Sequence, residues 1–172
     1  EDHVGDTIEI AKANNAPVIA AFELANWVQG QGHDLVEPAN PGGRVDLGNG
    51  CWIALTQAFH SSSYEGAYMG MPCGVMLHLG GKTVYHCGDT GIFGDMALLG
   101  EIYKPDVAII PIGDRFTMGP ELASRAADLI GAPEVIPCHY DTWPPIEVNV
   151  EHFAPTNAKV RILEPGVAWD CC

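Results

Sequence analysis

The chain has 172 residues, 47% hydrophobic and 17% charged: enough for one domain with a real core, and too apolar for a disordered segment. Its 22 acidic residues against 8 Lys and Arg give a net charge of −14, which repels phosphate backbones and makes nucleic acid a poor partner. No repeat, signal-peptide pattern or apolar stretch near the roughly 20 residues that span a bilayer is present, so a soluble, cytoplasmic protein acting on a small molecule is expected, with homo-oligomerisation left open.

In chain order, Thr7 to Asn14 reads as a short helix with Asp6 placed to cap it. Pro17 to Ala20 follows as a short buried strand, and Glu23 to Gln29 as a second helix. Gly30 to Gly50 is rich in Gly, Pro and Asn and is expected to be loop with room for one short strand. Trp52 to Phe59 has strand character and ends at His60, after which a polar loop is expected. Gly74 to Leu79 and Lys82 to His86 flank Gly80-Gly81, a pair that accepts the positive φ of a tight primed turn, so they read as a hairpin. Its second arm runs into Cys87-Gly88-Asp89.

Further on, Asp106 to Ile112 reads as a strand buried on both faces, and Pro120 to Ile130 as a helix. Glu134 to Pro137 is a strand delivering Cys138-His139-Tyr140, and Val160 to Leu163 is a last short strand. Such alternation implies a mixed sheet covered by helices, in a single domain over residues 1–172.

Metal-type donors collect at the strand ends. His60, Asp89 and His139 each follow a strand and precede a loop, where a rigid sheet aims side chains into one crevice. Asp2 and His3 add two more donors at the start of the sequence. Imidazole suits zinc, iron and manganese, and a carboxylate can bridge two cations. The cysteines contain no CxxC pair and read as free thiols; Cys87 and Cys138 adjoin the donors, with thiolate ligation the lesser reading. His33, His78, His86 and His152 read as structural or exposed, and His86 carries a lesser outer-shell reading.

Five segments carry a resemblance: Asp2 to Thr7, Ala58 to Ser63, Tyr85 to Thr90, Pro111 to Pro120 and Ile136 to Thr142. In this order and over nearly the whole chain they resemble the metallo-β-lactamase superfamily, in its branch of bacterial and archaeal metal-dependent hydrolases. The resemblance implies an α/β fold, an αββα sandwich of mixed sheets with metals at one edge. Asp2-His3 match the last two positions of the family's His-x-His-x-Asp-His motif, so a chain whose first strands are missing is expected. The resemblance places His60 on a first metal, Asp2, His3 and His139 on a second, and Asp89 as the bridge.

The activity implied is hydrolysis of an ester, lactone or phosphoester by a metal-bound hydroxide, with Asp2 and Asp89 as catalytic groups. Zinc is the favoured ion; manganese, iron and nickel suit the same donors. The alternative is a truncated or degenerate, non-catalytic module holding at most one metal weakly. Arg115, Phe116, Thr117 and Met118, in a loop between Gly113 and Gly119, are candidates to line the substrate pocket, as is Tyr140. Tyr140 and Trp143, which flank His139, are candidates to wall the crevice, with core packing the favoured role of each.

Overall fold

The computed structural model describes residues 3–171. Its main sheet has seven strands in the order β11-β10-β9-β8-β7-β4-β3. These are β3 (Arg44–Gly48), β4 (Cys51–Gln57), β7 (Cys73–Leu79), β8 (Lys82–His86), β9 (Val107–Pro111), β10 (Glu134–Cys138) and β11 (Lys159–Val160). The half from β3 to β8 is antiparallel and the half from β8 to β11 parallel, so the sheet is mixed, as expected.

The parallel half needs crossovers. Helices α3 (Met96–Tyr103) and α4 (Pro120–Ile130) supply two of them and pack on one another. Helix α4 obeys its sequence signals: Gly119 caps it, Pro120 opens it, Gly131 closes it, and Ala123, Ala126, Ala127 and Ile130 form its buried face. Opposite them lie Met76, Tyr85, Ala108, Ile110 and Val135, all but sealed from solvent. Between β7 and β8, Gly80 and Gly81 take φ of 60° and 78°, the primed turn the Gly-Gly pair predicts.

A second, two-stranded parallel sheet pairs β1 (Val18–Ala21) with β2 (Val36–Ala39). Helix α2 (Phe22–Gly30) packs on it, and α1 (Thr7–Asn14) precedes it. A small hairpin, β5 (Ser63–Tyr64) with β6 (Ala67–Tyr68), rises between β4 and β7. The result is an α/β sandwich. Among the described residues no helix is long and apolar enough to cross a membrane, and the described cysteines are all free thiols.

Several local expectations are corrected. Asp6 precedes α1 but makes no side-chain cap bond, because its φ of −88° and ψ of 15° are not the extended values that aim a carboxylate at the first helical amides. The stretch from Gly30 to Gly50 contains two strands, β2 and β3, not one. Pro38 is tolerated in β2 because that strand is an edge. Helix α3 was not anticipated, and the hairpin β5–β6 stands where a polar loop was expected. The last strand stops at Val160 instead of running to Leu163, since pairing ends with the Arg161 amide on the Val135 carbonyl.

Candidate metal centre

The strand ends deliver the donors to one point. Asp89 lies three residues beyond β8, and its Oδ2 is the common neighbour of three imidazoles. His3 Nε2 is 3.2 Å from it, His139 Nε2 3.3 Å and His60 Nε2 3.9 Å. The Asp89 side chain is only 11% exposed, whereas that of His3 is 56% exposed. Asp2 lies outside the described residues.

Each arm is held by the backbone around it. Gly88 adopts φ +67°, and a Cβ there would stand 2.5 Å from the Cys73 carbonyl oxygen, so only glycine lets β8 turn into Asp89. The Gly88 amide donates to His86 Nδ1 at 3.0 Å. Thr90, fully buried, joins the Asp89 arm to the His60 arm: its Oγ1 accepts from the Phe59 amide at 2.9 Å and donates to the Gly91 carbonyl at 2.7 Å. The Gly91 amide returns to the Phe59 carbonyl.

His60 Nδ1 lies 2.9 Å from the Ser61 carbonyl. A carbonyl only accepts, so Nδ1 carries a proton, and in the neutral ring Nε2 is the nitrogen left to ligate a cation. His139, at the end of β10, holds a left-handed φ of 54°, an uncommon conformation for a non-glycine residue and one that clusters at functional sites.

The charges agree with the geometry. Burial alone would raise the Asp89 carboxyl, but the hydrogen bond to His3 and the charges of His139, His3 and His60 outweigh it and hold the group below the usual carboxylate range. Burial and the Asp89 charge push the Cys138 thiol up to about 12, and burial raises Cys87 further still, so both are neutral thiols near pH 7. Three imidazoles and a carboxylate are donors that suit zinc, manganese, iron or nickel. Among the described residues no group of three or more His, Cys, Asp and Glu side chains is already placed to hold a metal ion, so the fit rests on donor chemistry and shared convergence on one oxygen.

A cavity of about 290 Å³ opens over this point, lined by His3, His60, Asp89 and His139 with Ser61, Ser63, Phe116 and Trp143. Of the substrate-binding candidates, Phe116 is on its wall. Arg115 is not: its guanidinium lies over the Phe116 ring, 5.5 Å from the centroid. Nor are Thr117, whose hydroxyl donates to the Met118 carbonyl, and Met118, which is buried in the core. Tyr140 packs against the core.

Trp143 departs from the core role expected of it, being 47% exposed and on the cavity wall. Sequence reasoning also gave no role to Thr90; its only signal was its place directly after Asp89. A second cavity of about 300 Å³ lies between the sheets, lined by Ile19, Leu24, Leu55 and Val75, and reaches the same His3, His60 and Asp89.

A sandwich with histidines and an aspartate gathered at its strand ends defines a metallo-β-lactamase-type protein, and comparison with known proteins agrees. Residues 1–140 match the model of the β-lactamase superfamily domain. A UPF0173 metal-dependent hydrolase of Geobacillus thermodenitrificans is 49% identical over 171 residues, covering 96% of this chain and 72% of the relative. Another, of Methanospirillum hungatei, is 46% identical, covering 98% and 78%.

Among solved structures, Igni18, a metallo hydrolase from Ignicoccus hospitalis, superposes with a TM-score of 0.86 at 40% identity, covering 97% of this chain and 73% of that one. The metallo-β-lactamase-fold protein YhfI of Bacillus subtilis, with a TM-score of 0.72 at 18% identity over 98% of this chain and 73% of its own, shares the fold. The chain belongs to the β-lactamase superfamily, within its UPF0173 metal-dependent hydrolase family.

Proposed function

We propose that the chain hydrolyses an ester, lactone or phosphoester of a small molecule, with a divalent metal, zinc in the first instance, held by Asp2, His3, His60, Asp89 and His139. The observation that carries the reading is the convergence of three imidazole nitrogens on Asp89 Oδ2. Two donors on one tetrahedral cation, each at about 2.0–2.1 Å, stand about 3.4 Å apart. His3, His139 and His60, with Nε2 at 3.2, 3.3 and 3.9 Å from Asp89 Oδ2, are the side chains that would hold a cation together with Asp89.

A divalent cation supplies Lewis acidity and an activated water near neutral pH. The chain's own residues do the rest. Asp89 contributes an anionic oxygen already ionised at neutral pH, so no proton need leave it when a cation binds. His60 meets the cation as the Nε2 donor because the Ser61 carbonyl holds its Nδ1 proton. Asp2 is assigned the second carboxylate, which orients the attacking water. The cavity walls admit the substrate and limit the water around it. The net charge of −14 supports a small molecule over a nucleic acid.

The test is metal content by elemental analysis after purification without chelator, together with assays on an aryl acetate, a γ-lactone and a phosphodiester. At least one divalent ion per chain is expected, lost in Asp89→Asn and His139→Ala. Failure of zinc, manganese, iron(II) and nickel to bind on titration would sink the proposal.

A further inference from the structure

Two rings on the cavity wall are explained neither by the core nor by the donor set. Phe116 and Trp143 are 46% and 47% exposed, and neither belongs to the core cluster. They stack on one another, 5.7 Å between centroids and 9° between planes. Both line the same cavity as Asp89 and His139. Single exposed apolar side chains are ordinary; a stacked pair on the wall of a candidate site is not.

The loops that carry the rings are closed and anchored. Around Phe116, the Asp114 amide donates to the Met118 carbonyl and the Thr117 amide to the Asp114 carbonyl, while Met118 is 1% exposed. Around Trp143, the Ile146 amide donates to the Trp143 carbonyl and the Asp141 amide to the Ile146 carbonyl, and Ile146 is fully buried. Asp141 Oδ1 takes the Val148 amide at 2.9 Å. The rings are therefore presented by fixed backbone with their anchors in the interior, which is how a scaffold preorganises a binding surface.

We infer that the Phe116–Trp143 pair is the specificity wall of the site, and that it selects substrates carrying a flat apolar group, such as an aryl ring, next to the bond that is cleaved. The inference rests on the hydrolase reading above and adds the substrate class. A flat ring gains from offset or edge contact with these rings beyond the area it buries, whereas a small alkyl group gains only area. Phe116 and Trp143 act on binding and orientation, and the bond-breaking groups lie elsewhere in the cavity.

The test uses zinc-loaded protein titrated calorimetrically with phenylphosphonate and methylphosphonate, alongside hydrolysis of phenyl acetate and ethyl acetate. Phenylphosphonate is expected to bind about tenfold more tightly than methylphosphonate. Trp143→Ala should cut that ratio to about twofold, Phe116→Ala should also lower it, and Trp143→Phe should keep most of it. Equal affinity of the two phosphonates in the wild type, binding of neither, or a ratio untouched by both alanine variants would overturn the inference. A phenyl preference without hydrolysis of the acetates, the γ-lactone or the phosphodiester sinks the hydrolase reading and leaves the aromatic wall standing. Hydrolysis with no aryl preference does the reverse.

Discussion

The donors come together from two unlike regions. Asp89, His60 and His139 hang from the ends of β8, β4 and β10, strands of one seven-stranded sheet, and are stitched in place by Thr90, Gly88 and the Ser61 carbonyl. His3 comes from the turn ahead of α1, on the side of the two-stranded sheet, and its side chain is 56% exposed against 28% for His139. Yet the two imidazoles lie at nearly equal distances from Asp89 Oδ2. Distance alone therefore does not rank the donors. What separates them is how much conformational freedom each has already given up before a cation arrives, and the sheet-borne half has given up more.

The largest effect should fall on the group all the others share. Asp89→Asn is expected to lower kcat/KM by at least about 100-fold, since even an outer-shell partner of a metal ligand is worth 10–100-fold. His139→Ala should weaken metal affinity more than His3→Ala, measured by competition with a chromophoric chelator. Equal losses in the two histidine variants would break the comparison, because the enclosed and exposed halves would then contribute alike.

Next come two glycines, one from each region. Gly88 and Gly5 both have positive φ, +67° and +42°, but a Cβ at Gly88 meets the Cys73 carbonyl while one at Gly5 meets nothing within 4 Å. Gly5→Ala should cost about 1 kcal/mol of stability, the left-handed backbone cost alone. Gly88→Ala adds the displacement of a packed carbonyl, so about 2–4 kcal/mol is expected in urea unfolding. Similar values for the two would mean that β8 can shift at little cost.

A smaller effect tests the stitching itself. Thr90→Val removes the acceptor of the Phe59 amide without changing the shape of a fully buried side chain, so about 1–3 kcal/mol should be lost. Thr90→Ser should recover most of it. If the valine variant keeps both stability and metal affinity, the link between the Asp89 and His60 arms does not position the site.

How much of this was legible in the sequence follows from where each signal resides. Helix α4 and the β7–β8 hairpin carry their own punctuation, Gly119-Pro120 with Gly131 and Gly80-Gly81, so local chemistry fixes them. Helix α3 escaped because Gly100 interrupts its pattern, and glycine is a poor helix former. The reason for that glycine is tertiary: a Cβ there would drive into the Ile130 carbonyl at the end of α4. His60, Asp89 and His139 could be found because a strand end announces each of them. Trp143 could be read there only as the lesser alternative, since its position on the cavity wall depends on the left-handed turn at Asp141 and on closure of the loop by Ile146, neither visible in the residues Trp143-Pro144-Pro145. Thr90 was silent for a similar reason: a threonine does not reveal which amide its hydroxyl will accept.

The smallest effect is one of shape rather than size, and it asks what holds the two regions together without a metal. In chelator-treated protein the Asp89 carboxyl lies below its ordinary range because His3, His139 and His60 outweigh the burial that would raise it. A carboxyl depressed in the folded state stabilises the fold fully above its unfolded pKa, about 3.9, and loses that contribution as pH falls through the lower folded value. The stability difference between wild type and Asp89→Asn should therefore be level between about pH 5 and 6 and narrow on further acidification. Urea midpoints from pH 3 to 6 read it directly. A difference that instead shrank with rising pH across that range would mean that burial governs Asp89 and that the nearby imidazoles are neighbours without being partners.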